Sequence, residues 1–524
     1  MPQTYLLRGK IVTMNDQQEV FENGLLLIKD DVIQCVYPHG HLPPDVQHLD
    51  IIESGGVIYP GLIDLHNHYA YNSLPLWVVP QKYTDRNVWR RNSEYSAAIQ
   101  QPLSNVLAVH SQSAKAIVRL VEAKAIVGGI TTGQGMKTKL KGGEKLYNGA
   151  MRNVEVPGVG YLPKAQTNIM DFRADKIEEF RATINKPELK AYFLHLSEGT
   201  DANSRQHFLD LKINDLINEK LVGIHALALN KDDLQYMADR GAKIVWSPFS
   251  NQLLYGQTLE LSMIKSAGIQ FSIGCDWTPS GSKNLLQELK VAAFTNEEQG
   301  SVFSDFELVR AITRSPSEIL AWDKYVGTLQ SNKLADLIVI DDLLNDPYQN
   351  LIRAREQNVR LVMIGGVPRA GNESIMDQLV HDTQNEMESI LIGGVPKKLY
   401  LFSLGSELNG LTLNKAMSDL TEIMSDLKAF EERAGTEKLM FIDTDGNAED
   451  FELVPDEDDV PLDEKISDFA TVFEDIKLYD IPMQNKIDLD RLYVEGDDYW
   501  NRISAQQNIS DKLKTWLKQC YGVN

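Results

Sequence analysis

Cysteine is scarce in this chain, with three in 524 residues, at Cys35, Cys275 and Cys520. Their small number and wide scatter exclude a disulfide framework and a thiolate zinc site, so any metal must be held by histidine and carboxylate. Long apolar runs are missing too, and none approaches the roughly 18 residues that a membrane span needs. The opening MPQTYLLRGKIV lacks the basic segment, apolar core and small-residue cleavage site of a signal peptide, so a cytoplasmic location is expected. Positive charge is in deficit. Lys and Arg number 52 against 74 Asp and Glu, a formal net charge of −22, and nucleic acid and anionic membrane are excluded as partners because both would be repelled. The deficit is local, since residues 441 to 500 hold 20 acidic and 4 basic side chains and so carry −16 of the −22.

What is present is a hydrophobic fraction of 43% and a length that implies one large domain with smaller ones beside it. Residues 1–60 read as short strands with turns, TYLLRGKIVTM and GLLLIKDDVIQCVY among them. From Gly61 the pattern becomes strand, loop, helix, repeated. Strands are expected at 61–65, 129–133, 149–156, 165–171, 190–195, 221–225, 242–247 and 269–276. Eight strands alternating with helices predict an α/β fold, a (β/α)8 TIM barrel, whose active site belongs where strands end at the C-terminal rim.

That rim carries the chemistry. His66 and His68 follow GLIDL, and residues i and i+2 of a strand point to one side, so both imidazoles leave the strand end in parallel. His195, His225 and Asp276 stand at the ends of three other strands. His66, His68, His195 and Asp276 supply four nitrogen and oxygen ligands to one divalent ion, Zn or Fe, with a position left for water. Such an ion lowers the pKa of water from about 15.7 towards about 7. Glu198, three residues past His195 in HLSE, is the expected proton shuttle to the leaving nitrogen. His225 is expected to donate a hydrogen bond to the water or to the substrate atom where charge develops. For the substrate pocket the candidates are Tyr69, Trp77, Gln134, Arg152, Asn153, Glu155, Ser247, Asn251 and Trp277, with aromatic faces for a flat heterocycle and polar groups for its nitrogens.

GLIDLHNH, HLSEG, GIHALAL, WSPFSNQLLYG and IGCDWTPSGSKNLLQELK occur in an order and spacing that resemble the metal-dependent amidohydrolase superfamily. The likeness is to its branch of cytosine and guanine deaminases and s-triazine or chloro-hydrolases. It implies His66, His68, His195 and Asp276 as ligands, Glu198 and His225 as acid/base and substrate-orienting groups, and Asp276 as a catalytic residue that helps deprotonate the water. It also implies a small β-sandwich built from both flanks of the barrel, closed by GTLQSNKLADLIVID. Lys164 and Lys137 are poorly placed for the bridging lysine of binuclear relatives, so one ion is expected.

The expected division is 1–60 and 325–370 for the β-sandwich, 61–324 for the hydrolase barrel, and 371–524 for an acidic C-terminal extension. Within the extension, IGGVPR at 364–369 is echoed by IGGVPK at 392–397. A helix is expected over 413–432, an acidic linker over 444–465 and a terminal amphipathic helix over 503–519. DTDGN at 443–447 reads as a turn. The function expected is hydrolysis of a non-peptide C–N bond in a small cyclic amidine or amide, deamination before ring opening, with a homo-oligomer allowed. The alternatives are a binuclear cyclic amidohydrolase and a non-catalytic scaffold that binds a protein through its acidic region.

Overall fold

Strands from both flanks of the chain meet in one sheet because each carries apolar residues that need a second layer. In Thr4–Val12, Leu6, Leu7, Ile11 and Val12 are fully buried. The computed structural model describes residues 4–38, 42–139, 149–168, 176–381, 387–440, 452–453 and 482–523. The sheet has ten strands, in spatial order Lys333–Leu334, Val32–Tyr37, Val20–Lys29, Thr4–Val12, Ile51–Pro60, Leu337–Asp341, Val359–Ile364, Val367–Asn372, Val395–Leu399 and Glu388–Ile392. Ile51–Pro60 lies between its N-terminal partner and Leu337–Asp341, so the two flanks are joined by a full ladder. The sheet continues past residue 370, the limit expected for it. The two IGGVP repeats explain the extra length. Each forms a two-residue hairpin turn whose glycines, Gly365 with Gly366 and Gly393 with Gly394, all have φ between 55° and 81°, a conformation glycine adopts without steric cost.

Eight parallel strands follow the sequence expectation in number and order. Leu62–Asp64, Ile130–Gly133 and Arg152–Asn153 make one parallel sheet of three. Gln166–Asn168, Tyr192–Leu196, Leu221–His225, Lys243–Trp246 and Phe271–Ile273 make a second, of five. The arrangement is α/β, and among the described residues the two ladders do not run on into a closed ring. Each seam is held by local contacts rather than by a continuous ladder. At one, Asn67 bridges Asp276 in parallel, with His68 N donating to Asp276 O and Asp276 N to His66 O, both at 2.9 Å. At the other, Ala165 N donates to Val154 O at 3.0 Å. The third strand, expected over eight residues, is two long. Asn153 Oδ1 accepts from the backbone N–H of Glu155 and Val156, which turns the chain out of the ladder.

The C-terminal part is built into this body. Helices Leu413–Ser425 and Leu427–Met440 occupy the region expected for one helix over 413–432. The expected terminal helix is two helices, Asp497–Ala505 and Asp511–Tyr521, broken where side-chain amides leave to serve another segment. Gln506 donates to Trp77 O at 2.7 Å and accepts from Val79 N at 3.2 Å, while Asn508 donates to Gln81 O at 2.8 Å and Leu253 O at 2.7 Å. The turn at 443–447 and the acidic linker at 444–465 lie outside the described residues, apart from Glu452–Leu453, which pairs with Thr138–Lys139. Among the described residues no helix is long and apolar enough to cross a membrane.

Candidate metal centre and active site

The seam between the first and eighth parallel strands is where the ligand-type side chains meet. The bridge from Asn67 to Asp276 sets Asp276 beside the His66–His68 turn. His66 and His68 ring centroids are 5.0 Å apart, and His195 lies 4.9 Å from His66 and 5.3 Å from His68. His225 completes the ring of imidazoles, 5.0 Å from His66 and 5.3 Å from His195. Ser197, His225 and Asp276 have φ of 54°, 65° and 65°, a left-handed backbone that non-glycine residues rarely adopt. Strain of this kind, held by surrounding structure at three strand ends of one rim, is characteristic of functional sites.

Asp276 Oδ1 lies 3.1 Å from His66 Nε2 and 3.3 Å from His68 Nε2. His66 Nε2 is buried and makes no aligned hydrogen bond. Two trios have ligand atoms within 4.8 Å of one another, His66 with His68 and Asp276, and His66 with His195 and His225. Buried imidazole nitrogens and a carboxylate within reach of one another are the donor set of a Zn or Fe site, so the residues fit a divalent ion. Burial pushes His66 down to about 3 and His195 well below the ordinary range, which keeps both neutral and able to donate a lone pair. Burial alone would raise Asp276, but the facing imidazoles of His66, His68 and His225 hold it well below the usual carboxylate range. Its other oxygen accepts from Ser250 Oγ, which orients the carboxylate.

Beside the cluster stands Glu198, 4% exposed, two residues past the strand Tyr192–Leu196. Its Oε1 accepts from Tyr255 Oη at 2.7 Å, and Trp89 Nε1 donates to that same oxygen of Tyr255 at 2.9 Å. Oε2 has no hydrogen-bond partner and lies 3.8 Å from His225 Nε2 and 3.5 Å from Arg86 Nε. Burial pushes the Glu198 carboxyl up, against the pull of His225 and Arg86, and a raised carboxyl suits a group that must both take and give a proton near neutrality. His225 Nδ1 faces Asn251 Oδ1 at 2.9 Å, and Asn251 Nδ2 donates to Thr258 Oγ1 at 3.2 Å. With the amide oriented that way, His225 Nδ1 donates to Asn251 Oδ1 and Nε2 is turned towards the site.

His68, His195, Glu198, His225 and Asp276 line one narrow space together with Arg86, Trp89 and Trp277. Of the expected pocket residues, Trp277 therefore lines the site and Asn251 touches it through His225. Trp77 does not line it; it is packed against Tyr83 and Tyr95, a layer behind the Trp89 and Trp277 rings. Arg152 is a correction, because its guanidinium is held by both oxygens of Asp336 at 2.7 and 3.0 Å and fastens the third parallel strand to the ten-stranded sheet. Asn153 serves its own turn and donates to Met136 O. Gln134 donates to Glu155 and Thr167 and accepts from Asn67 N, so Gln134 and Glu155 brace the histidine turn from outside the cavity. Tyr69 is buried with its hydroxyl against Gly133, where even a methyl group would clash, and Ser247 is buried at the start of the helix Pro248–Tyr255. Tyr255 and Ser250 lie inside WSPFSNQLLYG but were not singled out there. Arg86 and Trp89 come from a four-residue helix, Arg86–Trp89, which is too short for any periodicity to announce.

Behind Asp276, Glu288 is fully buried and accepts from Phe249 N at 3.0 Å and from Ser282 Oγ, with burial pushing it up to about 8. The folded protein therefore keeps a proton that the unfolded chain releases above its ordinary carboxyl pKa, so this group costs stability as pH rises from about 4.5 to about 8 and costs nothing below. Glu288→Gln, which keeps the shape without an ionisable proton, is expected to raise Tm by about 2–4 °C at pH 8.5 and to leave it unchanged at pH 4.5. Thermal melts at the two pH values check this, and an equal shift at both would contradict it.

The amidohydrolase family model matches residues 195–369, a span that contains His195, Glu198, His225 and Asp276. Among curated proteins, a 5-methylthioadenosine/S-adenosylhomocysteine deaminase of Caldanaerobacter subterraneus subsp. tengcongensis is 26% identical over 385 residues, covering 66% of this chain and 85% of its own. One of that name from Thermoanaerobacter pseudethanolicus is 22% identical, over 68% of this chain and 91% of its own. Among solved structures, an adenosine deaminase from Xanthomonas campestris with bound zinc superposes with a TM-score of 0.53 at 16% identity, covering 72% of this chain and 94% of that one. An atrazine chlorohydrolase from Arthrobacter aurescens, complexed with zinc, gives 0.55 at 18% identity, with 70% and 94% covered. Over residues 195–369 the chain matches the amidohydrolase family model, and the proteins it is similar to include deaminases and a zinc-bound chlorohydrolase.

Proposed function

We propose that the chain is a metal-dependent hydrolytic deaminase acting on an amino group attached to a flat nitrogen heterocycle. The observation that carries the reading is the carboxylate oxygen Glu198 Oε2, which makes no hydrogen bond and faces a cluster of buried imidazoles and one aspartate. His66, His68, His195 and Asp276 would hold one divalent ion, which when bound supplies a Lewis acid that makes water a nucleophile at neutral pH. Glu198 takes the proton that water loses and delivers it to the departing nitrogen. The C–N bond breaks, the amine leaves as ammonia, and the carbon keeps the water oxygen as a carbonyl, its remaining hydroxyl proton passing to the adjacent ring nitrogen. Tyr255 fixes Oε1, so that Oε2 alone is free to move the proton. His225, held by Asn251, presents Nε2 to the atom that gains negative charge. Trp89 and Trp277, with Tyr71 and Tyr95 behind them, form aromatic faces for a planar ring, and they enclose the reaction away from bulk water.

In this reading the eight parallel strands form a (β/α)8 barrel over 61–324, with catalysis at the C-terminal rim, flanked by sheet from 1–60 and 325–370. The names of the relatives put adenine compounds first among substrates. The test is ammonia release from 5-methylthioadenosine, S-adenosylhomocysteine, adenosine, guanine, cytosine and amino-triazines, with metal content measured on the same sample. Release from at least one, at one ion per chain, is expected. Two ions per chain with ring opening of a cyclic amide would favour the binuclear alternative, and no stoichiometric metal with no turnover would overturn the reading.

A further inference from the structure

The mechanism above leaves unused a buried group of charges under the histidine turn. Lys124, on the helix Ser111–Val127, and Lys283, on the loop after the eighth parallel strand, are 2% and 3% exposed, and both ammonium groups meet one carboxylate, that of Asp490. Asp490 belongs to the C-terminal segment, 366 residues from Lys124, and its backbone N–H donates to Ser73 O at 2.8 Å. Lys124 also donates to Asn72 O and reaches Thr278 Oγ1 at 3.5 Å.

From Asn72 a line of hydrogen bonds runs to the ligands. Asn72 Oδ1 accepts from Thr278 N at 2.8 Å, and its Nδ2 donates to Asn67 Oδ1 at 2.8 Å. Asn67 Nδ2 donates to Asp64 Oδ2 at 2.9 Å, and Asp64 Oδ1 accepts from His66 N at 3.3 Å and Cys275 N at 3.2 Å. The two turns tied together in this way, 66–73 and 275–278, carry His66, His68 and Asp276.

We propose that Asp490 is a positioning residue for the metal centre, holding through Lys124 and Asn72 the two turns that set His66, His68 and Asp276 at their mutual distance. The proposal rests on the metal-site reading above. Without the Asp490 carboxylate the two buried amines have no counter-ion, and whether Lys124 loses a proton or moves away, its charged donation to Asn72 O is weakened. The ligand turns then lose their common tether, and ion affinity falls because ligands that drift have to be gathered again on binding.

The test measures zinc affinity of the full chain by competition with a chromophoric chelator, and the visible absorption of the cobalt-substituted protein, in wild type, Asp490→Asn, Asp490→Glu and Gln506→Ala. Asp490→Asn is expected to bind zinc about 10–100-fold more weakly and to show a shifted cobalt spectrum with retained near-UV circular dichroism. Should Asp490→Asn fail to fold, Asp490→Glu keeps the charge but displaces the carboxylate by a methylene, and it is expected to weaken zinc by about tenfold. Gln506→Ala cuts the grip of the C-terminal segment on Trp77 without touching the Asn72 line, and is expected to bind as wild type does. A folded Asp490→Asn, or Asp490→Glu in its place, with wild-type affinity and spectrum overturns the inference alone. Equal weakening in Gln506→Ala overturns it too, by showing a general loosening. A wild-type chain that takes up no ion overturns the metal-site reading and the inference with it.

Discussion

Glu198→Gln is expected to lower kcat by about 10²–10⁴-fold while the purified protein keeps its ion and its fold. The amide preserves volume and can still accept from Tyr255 Oη, so the Trp89–Tyr255 line that holds the side chain stays in place. What it removes is the basic oxygen at Oε2, the carboxylate atom beside the cluster that makes no hydrogen bond. Substrate binding, which in the proposed reading rests on the aromatic faces, should change little, so the loss belongs in kcat and not in KM. Steady-state ammonia release, with metal analysis of the same preparation, checks the expectation. Retention of more than about a tenth of wild-type kcat would remove Glu198 from the proton path.

The second large effect concerns the ion. Chelation should abolish turnover, and zinc added back should restore it. The bound ion should also stabilise the fold, by about 4 kcal/mol when free zinc is about 1,000 times its dissociation constant. His195→Ala should purify with well under one ion per chain and show neither recovery of activity nor the zinc-dependent rise in Tm. His195 comes from a different strand and a different sheet from His66, so its removal leaves the His66–His68 turn and Asp276 in place. A His195→Ala protein with full metal content would mean that His225, whose ring also faces His66, completes the ligand set instead. Melting curves with and without zinc, on wild type and variant, distinguish the two outcomes.

The ligand candidates were legible in the sequence because they sit where a local rule operates. A run such as Leu221–His225 is apolar until its last residue, and a polar side chain at the end of a buried strand has few places to go but the rim. The same rule placed Glu198 three residues past His195. It failed for Arg152, which also lies on a parallel strand but turns to Asp336, a partner 184 residues on that no local pattern points to. Trp77 misled for a similar reason. An aromatic ring close in sequence to the histidines lies one layer further out, behind Tyr95, because the loop folds back and exposes Trp89 to the cavity in its stead.

The C-terminal region shows the limit of local reading most clearly. Periodicity found helical character near 503–519 but not the break at Gln506, since the break is stabilised by the backbone of Trp77 and Val79, more than four hundred residues away. The acidic count of the region gave no hint that one aspartate, Asp490, would neutralise two buried lysines beneath the candidate metal centre.

Sequence alone singled out the imidazoles and carboxylates that the fold gathers at one seam, because ligand chemistry and strand periodicity are properties of short segments. Tertiary structure alone decided which oxygen of Glu198 is free, which aromatic rings face the cavity, and which distant carboxylate braces the histidine turn. Those outcomes depend on burial and on hydrogen bonds between residues far apart in the chain, and such pairs form only once the whole fold has closed around them.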